Sequence, residues 1–214
     1  MIELKNVTLL VLTSVDFDGH IRSLLKSMEN IEFGSVKFIS HEPPDNLPKK
    51  ITWENTKRVL NILEYSKYCI FNLHKHVDTE FCLLTQADSW VVNPDLWDYQ
   101  FLNYDYIGAP WPNSPSHFTD SRGILQRVGN GGFSLRSKKL LSVPCNTNIS
   151  WNVNFPNEDT TIGVSNRVEY ENAGCKFAPL DIAIKFSHEM DIDENVNIDS
   201  FGFHRYHPTL GKIS

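Results

Sequence analysis

The chain has 214 residues, of which 41% are hydrophobic and 21% charged, with a formal net charge of -6. That balance suits one soluble α/β domain with ample core, and the lack of a long basic run argues against nucleic acid as a partner. The start, MIELKNVTLLVLTS, has too short an apolar core for a signal peptide and carries Glu3 where a basic region belongs. No run reaches transmembrane length. Cys69, Cys82, Cys145 and Cys175 show no CxxC spacing and read as reduced residues, so a cytoplasmic location is expected.

Residues 7–12 (VTLLVL) read as a buried strand ending in Thr13-Ser14. After Asp16-Phe17-Asp18, a helix follows with Ile21, Leu24, Leu25 and Met28 at i, i+3, i+4 and i+7. Asp18 is its expected N-cap. Residues 35–40 form a further strand, and residues 41–50, with Pro43, Pro44 and Pro48, a loop. Thr52 caps a predicted helix with Trp53, Thr56, Leu60 and Leu63 on one face. Another helix covers residues 67–77, with His74 and His76 solvated at its end. It feeds a strand at residues 81–84. The order βαβααβ implies a largely parallel sheet with right-handed crossovers.

That last strand heads the most informative stretch, FCLLTQADSW. An apolar run stops at Thr85-Gln86, and a lone acid, Asp88, follows. Open α/β sheets bind ligands at the carboxyl ends of their strands. A carboxylate there is a good ligand for a hard divalent cation, and such a cation can hold a diphosphate. A surface turn acid would look the same locally.

Beyond Asp88, Val91-Val92 and Asn93-Pro94-Asp95 give a short strand and a turn, and Trp97 and Phe101 open an aromatic segment. Residues 105–112 are extended until prolines break them, and residues 114–127 read as a mobile polar loop. In VGNGGFSLR, Gly129, Gly131 and Gly132 flank Asn130. The pattern fits a tight turn into a strand. It equally fits a floor under a flat ligand, with room for close backbone approach and Asn130 bonding hydroxyls. Glu158 and Asp159 begin a helix-like run, either as favourable N-terminal acids or as carboxylates facing a sugar. The tail from Asp191 is acidic and loop-like as far as FGFHRYHP. There His204 and His207 are candidates to complete a metal site opened by Asp88.

Together, QADSWVVNPDLW, YDYIGAPW, VGNGGFSLRS, NEDTTIG, GCKFAP, AIKFSHE and FGFH resemble a glycosyltransferase family of the GT-A fold from bacteria and large algal viruses, its chlorella-virus-encoded members above all. The resemblance implies a single Rossmann-like α/β domain over residues 1–214, with a mixed central sheet flanked by helices. It implies a monomer that moves a sugar from a UDP-sugar to a glycan or glycoprotein acceptor with Mn²⁺ or Mg²⁺, with retention favoured, for a capsid or surface glycan. If the protein is viral, the compartment is the host cytoplasm. By the same resemblance Thr13, Ser14, Val15, Gln86 and Ala87 meet the nucleotide. Asn130, Gly131 and Gly132 meet the sugar, Asp88 and His204 hold the metal, and Glu158 and Asp159 are the acids near the reacting carbon, with Arg136 as a candidate assistant. The family's DxD triplet reads here as Ala87-Asp88-Ser89, without its first acid. That loss leaves a catalytically inactive sugar-binding module as the rival, while TSVDFDGHIRS lacks the glycine-rich basic signature of a sugar-nucleotide pyrophosphorylase.

Overall fold

The computed structural model describes residues 1–151 and 156–213. In chain order it runs β1 (Ile2–Leu12), α1 (Phe17–Ser27), β2 (Ile31–Ser40), β3 (Thr52–Asn55), α2 (Ile62–Phe71), β4 (Phe81–Leu84), β5 (Ser89–Val91), β6 (Tyr106–Pro110), α3 (Pro115–Phe118), β7 (Val128–Ser137), α4 (Lys138–Asn146), α5 (Glu158–Thr160), α6 (Arg167–Asn172), α7 (Leu180–Phe186), β8 (Ser187–His188), β9 (Gly202–His204), β10 (Tyr206–His207) and β11 (Gly211–Lys212).

The main sheet has the order β3-β2-β1-β4-β7-β6. The first four strands are mutually parallel, and β7 runs antiparallel to both β4 and β6. The fold is thus α/β with a mixed central sheet. The second half of β1, from Val7 to Leu12, and β4 are almost wholly apolar because both faces are covered there. Leu9, Val11 and Leu83 face a core shared with Leu24 of α1 and Ala183 and Phe186 of α7. Leu10, Leu12, Cys82 and Leu84 face another with Tyr65 and Cys69 of α2 and Leu140 of α4. No helix among the described residues is long and apolar enough to cross a membrane.

Several local expectations are corrected. Asp16, not Asp18, caps α1. It takes a left-handed conformation (φ 46°) and accepts from the Gly19 amide; a side chain at Gly19 would collide with it. Residues 52–55 form β3 instead of a helix, parallel to β2, and the next helix starts only after Asn61, which accepts from Glu64 N at 3.0 Å. The reason lies in β2: its buried Lys37 is met by Glu54 of β3 at 2.6 Å and by Asp78 at 2.7 Å. Extended backbone at residues 52–55 delivers that carboxylate. His76 is not solvated; it is buried between the Tyr68 hydroxyl (2.7 Å) and Glu54. The 114–127 segment is knitted together by buried Asp120, which accepts from Arg122, Gln126 and the Ile124 amide.

Lys37→Ala is expected to lower the unfolding free energy by about 2 kcal/mol, the scale of a charged hydrogen bond lost from a buried site. Urea denaturation of the two proteins at pH 7 reads it directly.

Candidate active site

The topology gathers the site at one sheet edge. β1 and β4 run parallel, so their carboxyl ends deliver Thr13–Val15 and Gln86–Asp88 side by side. β7 runs against them, so its first half lies at the same edge, with Leu84 opposite Ser134. There β7 bows outward: Ile107 pairs with Leu135, yet Ala109 already pairs with Asn130. A bulge of this kind re-aims side chains. It requires Gly108, whose Cβ would lie 1.9 Å from Asn130 O. The second sheet adds His204, opposite Ser89 in the β5–β9 pairing.

Two cavities meet here. One, of about 490 Å³, is lined by Thr13, Ser14, Val15, Gln86, Ala87 and Asp88, with His20 and Tyr65. The other, of about 340 Å³, is lined by Asn130, Gly132, Glu158, Asp159, Glu189 and His204. Gln86, Asp88, Ile62 and Tyr65 border both. A larger hollow, about 670 Å³, opens near Lys5, Phe81 and Lys138, at the other end of β4.

The glycines of VGNGGFSLR lie inside β7, not in a turn. Each makes room for one large side chain. A Cβ on Gly129 would strike Trp111, one on Gly131 would lie 2.4 Å from Glu158 Oε1, and one on Gly132 would lie 2.3 Å from His204 Nε2. Gly131 and Gly132 therefore seat side chains of the site. Asn130 is likewise engaged within the protein: its Nδ2 donates to Glu189 and its Oδ1 accepts from Gly132 N.

The two adjacent acids separate. Glu158 is buried, with Oε1 3.0 Å from Nη2 of fully buried Arg136 and Ser66 Oγ 3.4 Å from Oε2. Arg136 thus serves Glu158 and lines neither cavity. Asp159 is partly exposed and accepts from Gly131 N (3.2 Å) and Thr160 N (2.6 Å). Burial and the neighbouring Glu158 push its carboxyl up to about 7.

On the metal side, Asp88 Oδ1 lies 3.6 Å from His204 Nε2 and Asp88 Oδ2 3.9 Å from Arg205 Nε. His207, by contrast, is buried against His188 and Phe203. Ser89 cannot serve as a triplet ligand; it is fully buried, accepting from Gln86 N (2.7 Å) and donating to Gly132 O (2.8 Å). The triplet that faces the cavities is Gln86-Ala87-Asp88, with an amide in the first position. Among the described residues no three of His, Cys, Asp and Glu form a metal cluster. Asp88 and His204 still suit a hard cation that is completed by substrate phosphates, which commonly takes only one or two protein ligands. Thr13 and Ser14 reach the first cavity with their hydroxyls partly committed: Thr13 Oγ1 closes a turn on Val15, and Ser14 Oγ accepts from Val59 N at 2.8 Å. Residues missed from sequence are Tyr65, His20 and Glu189; Glu189 lay in AIKFSHE, quoted for the family resemblance, and His20 in TSVDFDGHIRS, quoted only for the signature it lacks.

Gly132→Ala is expected to displace the His204 imidazole and to cut divalent-cation affinity at least about tenfold, the scale of a disturbed ligand shell. Calorimetric Mn²⁺ titration, beside a circular-dichroism check of the fold, measures this.

Solved structures share the architecture. One is a glycosyltransferase involved in glycosylation of the major capsid of PBCV-1, with TM-score 0.53 and 14% identity over 92% of this chain and 91% of that one. Another is the galactosyltransferase LgtC in complex with donor and acceptor sugar analogs, with TM-score 0.56 and 11% identity over 94% and 87%. At these identities the likeness is one of fold, and it is the GT-A-like fold. No curated protein matches by sequence. The model of one family, DUF5672, described as a protein of unknown function, matches residues 52–204, a span from β3 to the end of β9 that takes in every residue proposed from sequence except Thr13, Ser14, Val15 and His207. The chain belongs to the DUF5672 family.

Proposed function

We propose that this protein is a cation-dependent glycosyltransferase that moves a sugar from a UDP-sugar to a glycan or glycoprotein acceptor, for a surface or capsid glycan. The observation that carries the reading is the junction of the two cavities at Gln86 and Asp88. A nucleotide in the first cavity places its diphosphate at that junction and its sugar in the second. The fold shared with glycosyltransferases supports the same reading. Retention at the anomeric carbon rests on the sequence resemblance, and the product anomer read by NMR tests it.

The residues divide the work. Thr13, Ser14, Val15, Gln86 and Ala87 line the nucleotide side, with Val15 strongly exposed at the rim. Asp88 and His204 would hold Mn²⁺ or Mg²⁺. Such an ion, when bound, neutralises charge developing on a leaving diphosphate. Gly132 and Asn130 border the sugar. Asp159 is the acid suited to hold or move a proton at an acceptor hydroxyl, since a carboxyl near 7 exchanges its proton at neutral pH. Glu158, spent on Arg136, keeps α5 against β7.

Release of UDP from UDP-glucose, UDP-galactose and UDP-deoxyhexoses, with and without Mn²⁺, tests the activity. Asp88→Ala is expected to lower turnover about 10²-fold or more while the fold survives. Nucleotide binding without turnover, for every donor and acceptor tried, would favour the inactive binding module.

Asp159 also sets a pH dependence. Its folded pKa is raised above the unfolded value of about 3.9. The fold therefore favours the protonated form. Its full cost to stability stands above about pH 7 and disappears as pH falls towards 4. Asp159→Asn is expected to gain stability relative to the parent as pH rises from 4 to 7, with no further gain above. Melting temperatures across pH 4–8 check this; parallel curves would place the Asp159 pKa in the ordinary carboxylate range.

A further inference from the structure

Both ring nitrogens of His204 are engaged. Nδ1 lies 2.9 Å from Glu189 Oε1, and Nε2 lies 3.1 Å from Gln86 Oε1 and 3.6 Å from Asp88 Oδ1. Glu189 is buried, and Asn130 Nδ2 donates to its second oxygen. A carboxylate only accepts, so Nδ1 carries a proton, and in the neutral ring this leaves the lone pair on Nε2. Gln86 Oε1 also only accepts, and its amide nitrogen is turned towards the Tyr65 hydroxyl at 3.1 Å. With the ring neutral, Nε2 and Gln86 Oε1 are two acceptors 3.1 Å apart, a contact that a positive centre between them, a proton or a cation, satisfies. Neighbouring ligands of one octahedral cation, each about 2.1 Å from it, stand about 3 Å apart.

We propose that Glu189 is a positioning residue. Held by Asn130, it fixes the His204 tautomer that makes Nε2, Gln86 Oε1 and Asp88 Oδ1 three donors for one divalent cation. Gln86 then supplies a neutral oxygen where the DxD triplet lacks its first acid. The proposal rests on the metal reading above and adds two residues to it. Carboxylates behind histidine ligands orient the ring in this way, and losing one commonly costs 10–100-fold in affinity.

Two measurements test it together: ¹⁵N NMR of histidine-labelled protein at pH 8, which reads the tautomer, and Mn²⁺ titration with and without UDP. In the wild type, His204 is expected to carry its proton on Nδ1. Glu189→Gln is expected to populate the other tautomer and to weaken Mn²⁺ about 10–100-fold, with Glu189→Asp recovering part of the loss. Asn130→Ala is expected to act in the same direction by a smaller step, and it replaces Glu189→Gln if that variant does not fold. Gln86→Asp is expected to tighten Mn²⁺ by adding a charge. Unchanged tautomer and affinity in folded Glu189→Gln would overturn the proposal, as would a wild-type ring protonated at both nitrogens. A wild type that binds no Mn²⁺ under either condition would overturn it together with the metal reading. The expected tautomer and Mn²⁺ affinities without sugar transfer would uphold it and overturn only the transferase reading.

Discussion

The Ser89 hydroxyl is the joint on which the site hangs. It accepts the Gln86 amide, so the chain leaving β4 turns back and presents Gln86 and Asp88 to the cavities. It donates to Gly132 O, so the bowed part of β7 is drawn against that turn. Its own carbonyl accepts from Ser23 on α1, and its backbone pairs opposite His204. A single buried residue thus links four parts, its side chain the strand end and the bulge, its backbone the first helix and the second sheet. Buried polar groups are costly unless satisfied, and Ser89 is satisfied by bonds that each fix a different element.

Much of the fold was legible in the sequence because burial on both faces leaves an unbroken apolar run. VTLLVL and FCLL could be little else than central strands. β3 was not legible. Its four residues, TWEN, extend because Glu54 must reach Lys37, a contact with a strand more than a dozen positions earlier in the chain. The cap of α1 was misplaced by two residues for a similar reason. Either aspartate suits an N-cap by type, and only the left-handed turn at Asp16 decides.

The candidate site was legible as a set of segments and opaque as geometry. Gln86, Asp88, Asn130, Gly132, Asp159 and His204 do line one junction. Yet Glu158 and Asp159 are neighbours with opposite fates, and the sequence offers nothing to separate them. Both line the second cavity; the separation comes from Arg136, fully buried in β7, which pairs with Glu158 and leaves Asp159 without a cationic partner among the described residues. Similarly, three glycines in four positions suggested an open floor, whereas each is the seat of a particular side chain. The triplet register also needed three dimensions, because Ser89 and Gln86 are alike in polarity and differ only in which way they face.

The arrival of His204 on β9 has a consequence for how the molecule becomes competent. The strands of the main sheet are all in place by Ser137, whereas His204 is 67 residues further on, in β9 of the second sheet, which pairs with β5 and β8. Contacts distant in sequence carry a larger closure cost and form late. Synthesis therefore supplies every strand of the main sheet before His204. A nascent chain would own the strands that carry Thr13, Gln86 and Asp88 well before it owned the imidazole that lines the second cavity.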